Sequence, residues 1–264
     1  MGVLNLSPES FYSGSVYEEK EKLENATTHM IKNGAKILDL GARSTAPWSK
    51  KISIDEEIDR LIPAMKTICN VIPNDVLVSI DTQFEAVASK AYEISKKFNK
   101  KIILNDVSCL KTDPRLATFL IEHDLPIILM ASKKIPGDLL MIDEIAREFK
   151  NTILSLKNNG YDTKKIILDP GIGHWIKQKT HEYDLKIINE LSTLRKLKRP
   201  ILMAISRKSF IGTALNKPDP KDRLNGTLAA TTIAVYNGAH IIRTHDVTSQ
   251  LQEILTMAKL IRQS

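Results

Sequence analysis

Short apolar segments recur along this chain at a spacing that few architectures accept. They are Gly2-Val3-Leu4, Lys36 to Leu40, Val76 to Ile80, Ile102 to Leu104, Pro126 to Met130, Ile166 to Leu168, Ile201 to Ile205 and Ala239 to Ile242. Each is too short for a core helix and mostly lacks the polar alternation of a half-exposed strand, so each reads as a strand covered on both faces, as in parallel sheets. Between them lie stretches of helical period, among them Tyr17 to Asn33, Ser53 to Cys69, Phe84 to Phe98, Leu139 to Asn158 and, at the end, Val247 to Arg262. Gly34, Gly160 and Gly238 stand just past a helix and just before a strand, where a left-handed cap is expected. Eight βα units in 264 residues predict a single-domain (β/α)8 barrel, the TIM barrel, over residues 1–264. A doubly wound sheet is the second choice, because no GxGxxG follows the first strand and Gly171-Ile172-Gly173 lacks a third glycine.

In such a barrel the residues that follow the strands share one mouth, however far apart they are in sequence. Here those residues are polar: Asn5, Ser7-Pro8-Glu9-Ser10-Phe11, Asp39, Gly41 to Pro47, Asp81-Thr82, Asn105-Asp106-Val107-Ser108, Asp169-Pro170-Gly171, Ser206-Arg207-Lys208-Ser209 and Arg243-Thr244-His245-Asp246. Helix capping is a sufficient account of Asp106, Ser108 and Asp246. Asp81, Asn105 and Asp169 belong to the last turn of their strands and are expected to point into the mouth. Arg243 and His245 are two apart, hence on one face, and with Lys208 they can hold an anion. His29, His123 and His181 fall in helical segments and are expected to be structural or exposed. No HExxH, Cys/His cluster or GxSxG motif points to zinc or to a serine nucleophile.

Composition narrows the function classes. The net charge of +7 comes from scattered lysines without interleaved aromatics, which suits a solvated surface and disfavours nucleic acid as a partner. No apolar run approaches a membrane span, and the first residues read as a strand with no targeting segment before it. Cys69 and Cys109 form no CxxC, so a reduced, cytoplasmic setting is expected.

Taken together, Gly2 to Phe11, Asp39-Leu40-Gly41 with Ser44-Thr45, Ser79-Ile80-Asp81-Thr82, Asn105 to Ser108, Asp169 to Gly173, Ser206 to Gly212 and Arg243 to Asp246 resemble the dihydropteroate synthase family, in order and over essentially the whole chain. The resemblance implies a transferase of folate biosynthesis that joins 6-hydroxymethyl-7,8-dihydropterin diphosphate to 4-aminobenzoate and releases diphosphate. It implies that Asp81, Lys208, Arg243 and His245 are catalytic. It implies a pterin site of Asp81, Asn105, Met130, Asp169 and Lys208. It places Asn5, Arg43, Thr45, Ser206, Arg243 and His245 toward the diphosphate and the arylamine, with Asn5 reaching Mg²⁺. It also implies a homodimer formed through the late helices. Two alternatives stand beside it: a pterin-dependent methyltransferase acting on a corrinoid protein, and a non-catalytic pterin-binding protein.

The chain departs from the family pattern at several positions. Glu9 stands for an aspartate, Arg43 for an acidic residue, Ala46 for an arginine and Trp48 for a glycine. His174-Trp175 replaces an aromatic-glycine pair, ahead of a longer loop. With Ala46 uncharged, Arg43 is the nearest candidate to supply the missing cation. The loops Ser7 to Val16 and Gly41 to Ile52 are long for βα connections and are expected to act as lids.

Overall fold

The computed structural model describes residues 1–7, 14, 16, 17, 19–45 and 49–263. Six strands form one parallel sheet in sequence order: β1 (Gly2–Asn5), β2 (Ile37–Gly41), β3 (Leu77–Asp81), β4 (Ile102–Asp106), β5 (Ile127–Met130) and β6 (Ile166–Asp169). Two short strands, β7 (Leu202–Met203) and β8 (Ile241–Ile242), pair beside them. The ring closes through single bridges, Leu168 to Ile201 and Gly2 to Thr244. Backbone bonds from Leu168 N to Pro200 O (2.9 Å) and from Val3 N to Thr244 O (3.1 Å) seal the two seams. The barrel expected from the strand spacing is therefore the observed fold, with β7 and β8 shorter than their apolar runs.

The helices alternate with the strands and surround them: α1 (Lys20–Lys32), α2 (Ile54–Val71), α3 (Glu85–Lys97), α4 (Arg115–Glu122), α5 (Ile142–Asn158), α6 (His181–Asn189), α7 (Ser209–Leu215), α8 (Leu224–Tyr236) and α9 (Ser249–Gln263). The start of α2 shows how the sequence sets an end. Ser53 Oγ accepts from Glu56 N at 3.0 Å, and Asp55, Glu56 and Glu57 load the first turn with negative charge, which suits the helix dipole. At the other end of the helical units, Gly34, Gly160 and Gly238 hold φ of +91°, +83° and +123°, the left-handed caps that the sequence predicted.

Strand periodicity splits the apolar residues into two cores. Leu38, Leu40, Val78, Ile80, Ile102, Leu104, Ile127, Leu129 and Leu168 face outward and join the large cluster under the helices. Ile37, Ile103, Ile128, Leu202 and Ala204 face inward and fill the barrel floor. Continuing the same alternation upward along each strand puts Asn5, Asp39, Asp81, Asn105, Met130 and Asp169 on the inner face at the carboxyl end. The pairing register agrees, with Asn5 beside Gly41, Gly41 beside Asp81, Asp81 beside Asn105 and Met130 beside Asp169.

Candidate active site

A cavity of about 310 Å³ opens at this end of the barrel. Its walls include Asn5, Arg43, Thr45, Asp81, Asn105, Met130, Asp169, Lys208, Arg243 and His245, so residues from all but one of the expected positions meet there. Ser206 is the exception. It is buried behind the wall, where its hydroxyl meets His245 Nδ1 at 3.0 Å and accepts from His245 N at 3.2 Å. There it holds the His245 ring.

The centre of the mouth is a charge cluster. Arg243 Nε donates to Asp39 Oδ2 at 2.6 Å, and its Nη2 lies 3.5 Å from Asp81 Oδ2. Asn105 Nδ2 donates to both Asp39 oxygens, at 3.2 and 3.3 Å. Burial alone would disfavour the Arg243 charge, but Asp39 and then Asp81 outweigh it, and the guanidinium stays charged. The Asp81 carboxyl is pushed up, first by burial and then by the neighbouring Asp39 charge, with Arg243 pulling the other way. Asp39 is the hub of this cluster; the sequence placed it among the polar residues of the mouth but gave it no role in the site. The signal was present: a carboxylate in the middle of the apolar run Ile37-Leu38-Asp39-Leu40, in phase with the inward positions.

The opposite wall is built on the turn Gly171-Ile172-Gly173. Asp169 Oδ1 accepts from Gly171 N at 2.8 Å, and among the described residues its Oδ2 accepts no hydrogen bond. Lys208 Nζ donates to Ile172 O at 2.5 Å. Beneath the turn, fully buried Lys179 donates to Gly171 O (2.5 Å), and Asp184 accepts from Gly173 N (3.0 Å), the two charges lying 3.6 Å apart. Neither Lys179 nor Asp184 was singled out from sequence, since both sit past the motif in a polar stretch. Burial raises the Asp169 carboxyl above its ordinary value, with Lys208 opposing, and lowers the Lys208 ammonium to about 8, with Asp169 opposing. His245 is lowered to about 3 by burial and by the neighbouring Arg243, Lys208 and Arg207 charges. It is therefore a neutral hydrogen-bonding ring in this state and not the second cation that its spacing from Arg243 suggested.

Two further expectations are corrected. Arg43 lines the mouth, but its Nε donates to Glu57 Oε2 at 2.5 Å and its terminal nitrogens to Ile52 O (2.6 Å) and Ser53 O (3.0 Å). Glu57 is fully buried and also accepts from Thr82 Oγ1 at 2.6 Å. The Arg43 charge is thus spent on tying the β2–α2 loop to its helix, and it is not an available substitute for a cation at position 46. Ala46 and Trp48 themselves, and most of the expected lid between Ser7 and Val16, lie outside the described residues. Glu57 could have been found from sequence, because it sits four residues before Leu61 on the buried stripe of α2. Replacing Arg43 with methionine should leave a buried carboxylate unpaired and cost about 3 kcal/mol of stability, seen as a lower midpoint in denaturant. An unchanged midpoint would show that Glu57 does not need its partner.

The other correction concerns Asp246, which does not cap α9. Its two oxygens each accept from Arg207, both at 2.8 Å, while Arg207 Nη1 donates to Pro220 O and Lys221 O. Arg207 is buried outside the cavity and braces the connection from β7 to α8. Asp106 and Ser108 do not cap α4, which begins only at Arg115; Asp106 instead holds the turn after β4, accepting from Ser108 N at 2.8 Å and Leu110 N at 2.5 Å. His29 is exposed, His123 stacks on Tyr92 and Phe119, and His181 pairs with Glu182, all away from the mouth.

Fold and site together define a (β/α)8 barrel whose mouth offers acceptor and donor groups for a flat polar ring on one wall and a half-buried arginine on the other. The Pterin binding enzyme family model matches residues 1–245. The dihydropteroate synthase of Bacillus subtilis is 35% identical over 261 residues, 99% of this chain and 86% of that protein. Among solved structures, the dihydropteroate synthase of Yersinia pestis in a sulfonamide complex superposes with a TM-score of 0.87 at 29% identity, covering 100% of this chain and 93% of that one. The dihydropteroate synthase of Coxiella burnetii in complex with pteroic acid gives 0.86 at 32% identity, covering 99% and 92%. The chain belongs to the dihydropteroate synthase family of pterin binding enzymes.

Proposed function

We propose that this protein is a dihydropteroate synthase, a transferase that moves the pterinylmethyl group of 6-hydroxymethyl-7,8-dihydropterin diphosphate to the amine of 4-aminobenzoate and releases diphosphate. The observation that carries this reading is the meeting of Asp169, Asn105 and Lys208 with Asn5, Arg243 and His245 in one cavity. The first three suit a pterin and the last three an anion. Asp169 offers acceptors to the amino-pyrimidine edge, Asn105 serves a second edge, Lys208 donates to the ring carbonyl and Met130 supplies apolar surface. A buried polar edge of this kind rejects rings with the wrong pattern, because a mismatch leaves groups unpaired. Asp81, drawn toward its ionised form by Arg243, would in that form favour positive charge on the reacting methylene. Arg243 takes up the negative charge of the departing diphosphate. His245, neutral and held by Ser206, donates to the same group, and Thr45 lines the cavity beside it.

The residues also fit Mg²⁺. A hard cation held chiefly by substrate phosphates needs few protein oxygens. Among the described residues there is no cluster of three or more carboxylate, histidine or cysteine ligands. The Asn5 amide and the Asp81 carboxylate flank one point above Gly41, 3.8 and 3.4 Å from where a side chain would begin. Asn5 would hold the ion, which would neutralise diphosphate charge.

The proposal extends to assembly and setting. Ile233 and Tyr236 of α8 and Met257, Leu260 and Ile261 of α9 are exposed on two helices that pack together, an apolar surface suited to a second copy of this chain. Two buried, unpaired cysteines suit the cytoplasm, and among the described residues no helix is long and apolar enough to cross a membrane.

Mixing the protein with both substrates should release diphosphate and form a C–N bond. Release without the arylamine product, or transfer of a methyl group from a methylated pterin, would replace this reading. The pH dependence has a defined sign. The charged Lys208 is a much stronger donor than the neutral amine, so pterin affinity should fall above pH 8, by at most about tenfold per unit, read by calorimetry across the range. Affinity that stays level to pH 10 would remove Lys208 from the contact.

A further inference from the structure

Trp175 stands on the β6–α6 connection and forms part of the cavity wall. It is held from several sides. Its indole Nε1 donates to Ile172 O at 3.2 Å, and its backbone N donates to Gly173 O at 3.0 Å. The ring rests on Gly137 of the β5–α5 loop, where a methyl group would fall 2.1 Å from Trp175 Cγ and 2.2 Å from Cδ1. Gly137 has φ +70°, so backbone and space both call for glycine there. The seat is stiff: Asp138 accepts from the backbone N–H groups of Lys133, Lys134 and Ile135, and Ser132 bridges to Pro136.

On the cavity side the indole meets Lys208. The Nζ lies 5.5 Å from the ring centroid, and it donates to the same carbonyl, Ile172 O, that receives the indole N–H. The charged groups around this ammonium come from three directions: Asp169 at the end of β6, Arg243 after β8, and Asp184 of α6 with Lys179 just before it. Burial is the largest influence on Lys208, and it disfavours the charge. A side chain this long would otherwise sample several rotamers and draw water to itself.

We propose that Trp175, seated on Gly137, is a positioning residue for Lys208: it presses the ammonium against Ile172 O, shields it from water and presents it to the heterocycle in one place. The consequence for catalysis rests on the pterin-site reading above, whereas the contact itself does not. Two βα loops are thereby locked together, and the lock is specific to the tryptophan at position 175.

The chain holds two tryptophans, so Trp48→Phe leaves Trp175 as the sole indole. In that background, emission of the protein alone should change between about pH 7 and 9 as the neighbouring ammonium loses its proton. Adding Lys208→Met should abolish the change, and adding Gly137→Val should unseat the ring, shifting emission to the red and removing the pH response. A second measurement bypasses Gly137. Trp175→Ala should weaken pterin binding at pH 7 by roughly tenfold and move its alkaline limb up by about one unit, with Trp175→Phe largely restoring both. Emission indifferent to pH or to Lys208→Met, or a Trp175→Ala protein with wild-type pterin affinity and pH profile, would overturn the proposal. The emission titration requires no pterin, so it decides the contact even if the wild-type protein binds none, a result that would instead sink the functional reading.

Discussion

Asp169→Ala is expected to abolish measurable pterin binding, a loss of about 10⁴-fold, because the change removes a buried charged acceptor from a site built to satisfy one polar edge. The effect has a second source. Asp169 supports the charge of Lys208, so its removal leaves the ammonium with burial opposing it and less attraction in return. Part of Lys208 would then be neutral at pH 7.5 and would no longer be a reliable donor to the ring carbonyl. Asp169→Asn keeps the shape and one acceptor, so it should recover a fraction of the affinity and none of the support for Lys208. Titration calorimetry with the pterin diphosphate checks both variants. Binding by Asp169→Ala within tenfold of wild type would move the heterocycle elsewhere in the barrel.

Arg243→Ala should slow turnover by a factor of roughly 10² to 10³ at saturating substrates, the usual cost of losing one preorganised donor at a developing negative charge. The distances predict that lysine will not replace the arginine. Its Nε is engaged with Asp39 at 2.6 Å, while Nη2 reaches toward Asp81 at 3.5 Å and shares the mouth with Asn5 and His245. A lysine has a single charged nitrogen and no planar fork, so it can answer Asp39 or an incoming phosphate but not both. Removing the guanidinium also leaves Asp39 buried with only the Asn105 amide, which should lower stability by about 3 kcal/mol. The two effects separate cleanly, since single-turnover kinetics below the unfolding midpoint report the first and denaturant titration the second. An unchanged rate in Arg243→Ala would remove the diphosphate from this wall.

Much of the site was readable because strand geometry has a period of two. Once Ile37, Ile103 and Ile128 face inward, Asp39, Asn105 and Met130 must do so as well, and the mouth assembles from residues scattered between positions 5 and 245. The same rule correctly paired Asn5, Asp81 and Asp169 with that mouth. It gave no guidance where the chain had already left the strand. Ser206 and Arg207 follow a strand that stops at Met203, and the positive φ of Arg207 (56°) turns its side chain away toward Asp246. Alternation cannot be extrapolated through such a residue.

By itself, then, the sequence determined the barrel, the inward set of strand-end residues and the family, because hydrophobic period and motif order are local properties that survive without coordinates. Tertiary structure decided which charges are free to act. Arg43 was indistinguishable from a ligand-binding arginine until Glu57, fourteen residues away, was seen to hold it at 2.5 Å. His245 looked like a cation until burial and three surrounding positive groups made it neutral. Lys208 was visible as a lysine, but its place depends on Trp175, and that of Trp175 on the bare backbone of Gly137 in another loop. Whether a charge is paired, buried or presented depends on neighbours brought together only by folding, since Coulomb energy and desolvation depend on distance and surroundings and not on position along the chain.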